Sequence, residues 1–302
     1  MNKVLALFAL VGIFVYAQGS YAAMSSTSYQ IRWDAVNTGG SDSASSATYL
    51  LRDSVSGTAD SSASSASYQV RDGYRAGVID QVISFDLYIQ NTASGVQASV
   101  FSGSTITVSS TSAVSVGDFV ALVQDRGVNQ VVGIGKVVSK TSSNLVVDYL
   151  SDAGTAPVVD GVGDYVFPLT GSGLDFATVD GSSVVTGVIS FEMTVDNDSG
   201  YVIQLLEDGN LRDGSNEIAD VSDGSVTAGT EEFGARSSDS TLSNSAFDTQ
   251  DAAITSTAQD VVTKSTYAIG DRTFVTFKLS AQTATPSSVY ENTLTFIASG
   301  NF

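Results

Sequence analysis

Val82-Ile83-Ser84-Phe85-Asp86-Leu87-Tyr88-Ile89 is the stretch of the chain that most directly indicates its fold. Four apolar side chains at alternate positions fall on one face of an extended segment: Ile83, Phe85, Leu87 and Ile89. Residues 188–195 repeat the pattern, with Phe191 on the apolar face and Glu192 on the polar one. A period of two is typical of a β-strand that is buried on one side. Both stretches are therefore predicted to be strands that border a core.

Turn signals separate such stretches along most of the chain. Asp-Gly dipeptides, which favour tight turns, occur six times, at Asp72, Asp160, Asp180, Asp208, Asp213 and Asp223. No window of useful length combines a helical period with capping residues. We therefore predict an all-β protein with N-terminal strand repeats, a small β-barrel and a C-terminal β-sandwich.

Residues 1–22 have the features of a signal peptide. Lys3 supplies a positive charge, residues 4–16 form an apolar run too short to cross a bilayer, and Ser20 and Ala22 are small residues at the −3 and −1 positions of a cleavage site. No second apolar stretch of about 18 residues follows. We expect a protein secreted to the bacterial cell surface, whose mature chain begins at Ala23 and has no membrane-spanning helix.

The composition narrows the possible functions. The chain has no Cys and no His, which removes disulfides, thiolate metal sites, the usual zinc sites and the Ser-His-Asp and Cys-His mechanisms. A net charge of −19 without a basic patch argues against a nucleic-acid partner. Paired carboxylates could support glycoside hydrolysis, but the single Trp33 leaves few aromatic platforms for a polysaccharide. We expect a protein that is not an enzyme.

Three short repeats occupy residues 23–80. Ser28–Asp34, Thr48–Asp53 and Ser67–Asp72 each contain a Tyr, an aliphatic residue two positions later and then an Arg, and the tyrosines are 20 and 19 residues apart. Each repeat is predicted to form one strand, whose Tyr and aliphatic residue face one way and whose Arg faces the other. The intervening Ser/Gly-rich stretches, such as Gly39–Ser46, are predicted linkers. Three such strands cannot bury much surface by themselves.

The aromatic and arginine side chains of the repeats are candidates for an interface, because Tyr, Trp and Arg dominate interface hot spots. The candidates are Tyr29, Arg32, Trp33, Tyr49, Arg52, Tyr68 and Arg71. The alternative is that they pack between the repeats. We expect residues 23–80 to act between subunits as an assembly arm that adds strands to a neighbour. An arm that folds back on its own subunit is the competing possibility.

The rest of the chain is predicted to form two domains, a small barrel at 81–168 and a sandwich with long acidic loops at 169–302. Five short strands suit an SH3- or OB-like barrel: Thr105–Val108, Gly117–Val123, Val131–Val138, Leu145–Leu150 and Tyr165–Phe167. The sandwich strands are predicted at Leu174–Val179, Val188–Val195, Tyr201–Leu206, Phe274–Leu279 and Thr293–Phe302. Residues 208–266 are predicted to be surface loops with a few short strands.

Several of these features occur together in one kind of protein. They are the Ser-x-Ser-Tyr-Gln repeats ending in Gly73-Tyr74-Arg75, Val116-Gly117-Asp118, Leu174-Asp175-Phe176, Gly200-Tyr201-Val202-Ile203 with the following Glu207–Arg212, and Thr230–Gly234. Over nearly its whole mature length the chain resembles uncharacterised exported surface proteins of the candidate-phyla-radiation (Patescibacteria) type. Its last domain more loosely resembles WxL-type and pilin-like sandwiches. The resemblance implies a surface location and a structural or adhesive role, and it supplies no catalytic residues.

Carboxylates are dense between residues 207 and 232. Oxygen ligands at close spacing suit Ca²⁺, which tolerates irregular geometry. The candidate ligands are Asp208, Asp213, Glu217 and Asp220. Their spacing does not follow the EF-hand, and turn-rich loops with a solvated acidic face are the alternative. No other cofactor is expected.

The expected function is a structural subunit of a bacterial surface layer or filament, which assembles with copies of itself through β-strand contacts. A surface adhesin that binds a glycan or a protein, with calcium-stiffened loops, is the first alternative. An outer-membrane β-barrel is the second, because Leu294, Phe296 and Ala298 alternate towards the final Phe302.

Overall fold

The computed structural model of this protein describes residues 39–45, 50–55, 62–64, 69–71 and 83–301. The regular elements in these ranges are strands, apart from one 3-10 turn at Thr92–Ser94, so the all-β prediction is confirmed. Within the same ranges no helix is long and apolar enough to cross a bilayer. The strands are β1 (Gly39–Ser45), β2 (Leu50–Val55), β3 (Ser62–Ser64), β4 (Gln69–Arg71), β5 (Ile83–Ile89), β6 (Val96–Ser102), β7 (Thr105–Val108), β8 (Phe119–Gln124), β9 (Val131–Lys140), β10 (Asn144–Val147), β11 (Ser151–Asp152), β12 (Tyr165–Pro168), β13 (Val185–Val195), β14 (Tyr201–Glu207), β15 (Leu211–Asp213), β16 (Asn216–Ile218), β17 (Glu232–Ser237), β18 (Gln259–Lys264), β19 (Ala268–Ser280) and β20 (Leu294–Gly300).

The chain divides into two compact units, Met1–Asp80 and Gln81–Phe302. In the first unit β1 pairs with β2, and β3 pairs with β4, both antiparallel. Strands β2 and β4 belong to the second and third repeats, whereas β1 and β3 fall in Ser/Gly-rich stretches. The prediction of plain linkers is wrong for those stretches, because backbone pairing does not require apolar side chains. The first repeat, residues 28–34, lies outside the described residues.

Two antiparallel sheets face each other in the second unit and are called here the two-sheet region. The larger has the strand order β17-β19-β13-β5, and the smaller has the order β18-β14-β20. The ring of Phe296 on β20 lies with its centroid 5.0 Å from that of Phe191 on β13 and 6.5 Å from that of Phe277 on β19. One hydrophobic core, to which both sheets contribute, fills the space between them.

The other strands of this unit form a closed ring. β10, β7, β6, β12, β8 and β9 are neighbours in that order, and β10 also pairs with β9, which closes the circuit. Strand β11 is added on β9. The predicted barrel has five strands, whereas the ring has six, and the additional strand is β6. Its alternate positions include the small Ala98 and the exposed Val100, which give a weak apolar signal.

Strand β8 joins the ring to the two-sheet region. Its first five residues are all buried. Val120 and Leu122 belong to the core of the ring, whereas Phe119 belongs to a cluster that includes Val188 of β13 and Phe274 of β19. A continuous apolar run is what a strand buried on both faces requires.

The ring is an insertion between two paired strands of the larger sheet. Strand β5 precedes the ring in the chain and β13 follows it, yet the two strands are antiparallel neighbours, from Ile89 opposite Ile189 to Ile83 opposite Val195. The predicted domains 81–168 and 169–302 do not match these pairings, because β5 belongs with the later strands. Alternation identifies a strand, but it does not say which sheet the strand joins.

One other stretch differs from the sequence prediction. Residues 174–179 are irregular instead of forming a strand. Leu174, Phe176 and Val179 do pack against the core, which accounts for their apolar pattern. However, Ala177 has a φ of 59° and its N–H donates to the Asp175 side chain, a local turn that interrupts an extended chain. Residues 208–266 contain four strands, β15 to β18, between their loops.

Candidate functional site

A cleft of about 1100 Å³ opens between the two sheets, on the side where β5 and β20 end their sheets. Apolar side chains from both sheets form its floor: Leu87, Ile89, Ile189, Leu279, Leu294 and Phe296. Its rim is more polar and comes from residues 172–181 and 281–293. An apolar interior with polar groups at the rim is typical of a binding site.

The rim segment 172–180 packs against the core at the cleft through apolar side chains. A Cβ at Gly187 would lie 2.6 Å from Cδ1 of Leu174, so the close approach of this leucine depends on the glycine. Phe176 makes an edge-to-face contact with Phe233, with 6.1 Å between the ring centroids. Among the residues that the structure describes, no backbone–backbone hydrogen bond joins this segment to either sheet. Its attachment to the cleft therefore depends on apolar contacts.

Strands β5 and β20 each have a free edge beside the cleft. Strand β5 pairs with β13, and within residues 83–301 its other edge makes only an isolated bridge between Ile89 and Gly171. Strand β20 pairs with β14 and with no other described strand. The unpaired N–H and C=O groups of such edges are a template for another strand.

Glu207, Asp220 and Asn292 form a polar cluster next to the cleft. Asn292 lines the cleft, and its Nδ2 donates to Oε2 of Glu207 at 2.8 Å. Burial, together with repulsion from Asp220, raises the pKa of Glu207 to about 8, and burial raises the pKa of Asp220 to about 6. The two carboxyl groups are close enough to influence each other's ionisation. The pair therefore holds a proton near neutral pH.

The alternation along β14 is a sequence signal for part of this cluster. Tyr201, Ile203 and Leu205 are buried at alternate positions of β14, and Glu207 continues the same alternation. A carboxyl group on a buried strand face needs a proton or a polar partner. The partners themselves, Asp220 and Asn292, come from distant segments and follow no local pattern.

The structure does not bring the four predicted calcium ligands, Asp208, Asp213, Glu217 and Asp220, together in one site. Asp208 pairs with Arg212 at 2.7 Å, and Asp220 is buried beside Glu207. The other two lie on the β15–β16 hairpin, where each accepts a hydrogen bond from a different side chain. In the described part of the chain no group of three or more Asp, Glu, His or Cys residues is arranged to hold a metal ion. Calcium binding stays a prediction.

Most of the predicted interface residues lie outside the described ranges. These are Tyr29, Arg32, Trp33, Tyr49 and Tyr68. Arg52 lies in β2 and Arg71 in β4. The interface also stays a prediction.

A buried arginine joins the ring to the two-sheet region. Arg272 of β19 donates two hydrogen bonds to Asp148 of the ring, at 2.9 and 2.6 Å, and one to Glu192 of β13, at 3.2 Å. Its guanidinium lies 4.8 Å from the ring centroid of Phe119 and 4.3 Å from that of Tyr149. Partial burial opposes ionisation of Asp148, but hydrogen bonds from Arg272 and two backbone N–H groups outweigh it and lower the pKa of Asp148 to about 2.

No protein-family model, curated protein or solved structure matches this chain. The cleft, the free strand edges and the sequence itself are therefore the features from which a function can be inferred.

Proposed function

We propose that the protein is a non-enzymatic extracellular structural subunit of a bacterial surface layer or filament, which assembles with copies of itself through β-strand contacts. The observation that carries this proposal is the pair of free edges, β5 and β20, on the two sides of an apolar cleft. Strand addition at such an edge combines backbone hydrogen bonds with pockets for alternate side chains. The free edges offer the backbone hydrogen-bonding groups, and the cleft offers the pockets for side chains.

The chemistry of the cleft supports a structural role. A carboxyl group with a raised pKa can serve as an acid catalyst, and Glu207 has such a group. Its side chain is buried, with the residue 3% exposed, and it accepts a hydrogen bond from Asn292, so it has little access to a substrate. The lack of His and Cys also removes the common nucleophile–base pairs.

The extracellular location is supported by the sequence. Residues 1–22 have the charge, the apolar run and the small residues of a signal peptide. The remaining chain is acidic and is rich in Ser, Thr and Gly, which suits a protein that stays soluble outside the cell until it assembles.

Electron microscopy of the chain beginning at Ala23, at increasing protein concentration, tests the proposal. We expect ordered filaments or sheets above a threshold concentration. A protein that remains monomeric at every concentration, both with calcium and with a chelator, would contradict it.

An edge variant and a matched control sharpen this test. Ile297 is 41% exposed on the outer face of β20, and Ile297→Lys should weaken assembly because a lysine on an edge strand discourages strand addition. Val158→Lys makes the same charge change at a residue that is 71% exposed and belongs to the segment preceding β12. The control should assemble as the wild type does.

The cleft also favours a second function, a surface adhesin that binds a glycan or a protein. The polar rim, which includes Asp175 and Glu291, offers hydrogen-bonding groups above the apolar floor. A stable monomer that binds specifically on a glycan array would favour the adhesin over the assembling subunit.

A further inference from the structure

The two facing sheets differ in width at the cleft. Phe296 of β20 contacts Phe191 of β13 and lies near Phe277 of β19. Strand β20, the last strand of the smaller sheet, therefore lies opposite β13 and β19. Strand β5 extends beyond it, and no described strand of the smaller sheet faces β5.

The burial of paired residues shows the consequence. Phe85 of β5 is paired with Met193 of β13, and Ile83 is paired with Val195. Both β13 residues are 0% exposed, whereas Phe85 is half-buried and Ile83 is 46% exposed. The inner face of β5, at Ile83 and Phe85, thus lacks the cover that the same face of β13 has.

The geometry defines what would complete the smaller sheet. The occupant must be extended in order to pair with the free edge of β20. It must carry apolar side chains at alternate positions in order to cover β5. Strands β5 and β20 each have seven residues, so an occupant of about that length would match both.

Of the three repeats in this chain, the first fits these requirements best. Ser28–Asp34 has seven residues, and as an extended strand it would place Tyr29, Ile31 and Trp33 on one face. The second and third repeats have Asp53 and Asp72 where the first has Trp33. Moreover, those two repeats contain β2 and β4, which already pair with β1 and β3.

Charge supports the same segment. Arg32 would lie on the face opposite the three apolar residues, which is the outer face of the completed sheet. Residues 81–302 contain 26 Asp and Glu but only 8 Lys and Arg. An arginine on the incoming strand would therefore approach an acidic surface.

We propose that residues 28–34 of a second copy of this chain bind as a strand along the free edge of β20, with Tyr29, Ile31 and Trp33 in the cleft and against β5. The inference rests on the proposed assembly function and names the segment and the surface that make the contact.

Disulfide trapping tests this contact directly, because the chain has no Cys of its own. Directly opposed residues of paired strands share a face and have Cβ atoms about 4.5–5.5 Å apart, close enough for disulfide formation after a small adjustment. Ala298 is half-buried on the inner face of β20. Copies with Ala298→Cys are mixed with differently tagged copies that carry Tyr29→Cys, Ile31→Cys or Trp33→Cys, all beginning at Ala23. We expect a mixed-tag dimer from at least one pair.

The alternation of side chains provides the control. Gln30→Cys and Arg32→Cys should cross-link to Ala298→Cys at least about tenfold less, because a strand places them on the other face. They should instead cross-link to Ile297→Cys, which is on the outer face of β20. If the cysteines at positions 30 and 32 cross-link to Ala298→Cys in the same yield as those at positions 29, 31 and 33, the proposal is wrong.

The remaining outcomes separate the two proposals. A variant that carries both cysteines in one chain tests the alternative. If only this variant cross-links, and only within one chain, the segment folds back on its own subunit and the inference is wrong. If wild-type protein assembles but no pair cross-links, another contact builds the assembly, and only the inference fails. If wild-type protein does not assemble in the microscope, the proposed function fails.

A second pair of variants does not depend on introduced cysteines. Ile31→Asp and Gln30→Asp add the same charge at neighbouring positions outside the second unit. Ile31→Asp should raise the concentration needed for assembly at least about tenfold, because it places a carboxylate in the apolar cleft. Gln30→Asp should have a much smaller effect. Equal effects of the two substitutions would contradict the proposed orientation.

Discussion

The ring and the two-sheet region are built from similar apolar strands, but they differ in whether the edges of those strands are paired. Each of the six strands of the ring has a neighbour on both sides, and closure of this kind removes edges. In the two-sheet region, β5 and β20 have only one strand neighbour each among the described residues. The inside of the ring is correspondingly sealed, with Leu122 and Val166 at 0% exposure, whereas Phe85 remains half-buried. Strand connectivity, more than apolar content, thus decides where this chain has unpaired strand edges.

The largest expected effect is on the free energy of unfolding, and it compares a residue in the closed core of the two-sheet region with one at its open edge. Phe191→Ala should lower the free energy of unfolding by about 4 kcal/mol, because the side chain is 0% exposed between Phe85 and Phe296. Phe85→Ala should cost only about 1 kcal/mol in the monomer, because part of its ring is already in water. Urea unfolding monitored by circular dichroism measures both. Similar losses would show that β5 is covered in the isolated subunit.

The next effect concerns the contact between the ring and the two-sheet region. Arg272→Met should lower the free energy of unfolding by about 3 kcal/mol, because it leaves Asp148 and Glu192 without their buried partner. Arg212→Met removes an ion pair with Asp208 at the surface, where solvent screens the charges, and should have a much smaller effect. In differential scanning calorimetry we expect one transition for residues 83–301 of the wild type, and we expect it to broaden or divide in the Arg272 variant. An unchanged single transition with no loss of stability would mean that apolar packing alone joins the two regions.

A smaller effect is expected from pH at the base of the cleft. The pKa of Glu207 is raised to about 8 in the folded protein, whereas an unfolded glutamate titrates near about 4.3. Between these values the folded chain holds a proton that the unfolded chain has lost, so stability should fall as the pH rises from about 5 to 8. Glu207→Gln cannot ionise, so it should remove the part of this decline that Glu207 causes and should be more stable than the wild type at pH 9.

Thermal unfolding across that pH range measures the difference, and Glu217→Gln is the matched control. Glu217 is exposed on β16, so its substitution should leave the pH dependence of the wild type in place. A wild-type melting temperature that does not fall between pH 5 and 8 would contradict the shared proton.

Calcium should have the smallest effect. If Asp208, Asp213, Glu217 and Asp220 bind Ca²⁺, calcium at ten times its dissociation constant stabilises the folded state by about 1.4 kcal/mol through mass action. A rise in melting temperature with millimolar calcium, reversed by a chelator, is the expected result. Identical melting curves in calcium and in chelator would show that these carboxylates are a solvated acidic surface.

Local sequence patterns determined how much of this architecture could be predicted. The alternation in residues 83–89 and 188–195 correctly predicted β5 and most of β13, because each strand has one face directed to a core. Ser62–Ser64 also forms a strand, but its side chains carry no apolar pattern that could reveal it. Leu174 and Phe176 have the pattern of a strand, yet a turn at Ala177 prevents one.

The cleft itself could not be predicted, because it depends on how distant segments pair. Nothing local to Phe85 shows that its strand borders β13, which follows only after the whole ring. The polar cluster at Glu207 could be predicted in part from the sequence, since Glu207 continues the buried alternation of Ile203 and Leu205. Asn292, which donates a hydrogen bond to Glu207, is 85 positions away in the sequence, so this contact could be found only in the folded structure.

The placement of the ring has a mechanical consequence. The ring lies in the chain between β5 and β13, but the seven residue pairs that join these two strands bridge its point of entry and its point of exit. A pulling force applied between the start of β5 and the end of β20 would therefore pass through the ladders and the core of the two-sheet region, while the ring carries almost none of it. In a filament under tension the ring would be a side attachment that is free to differ in size or surface without changing the tensile strength of the fibre.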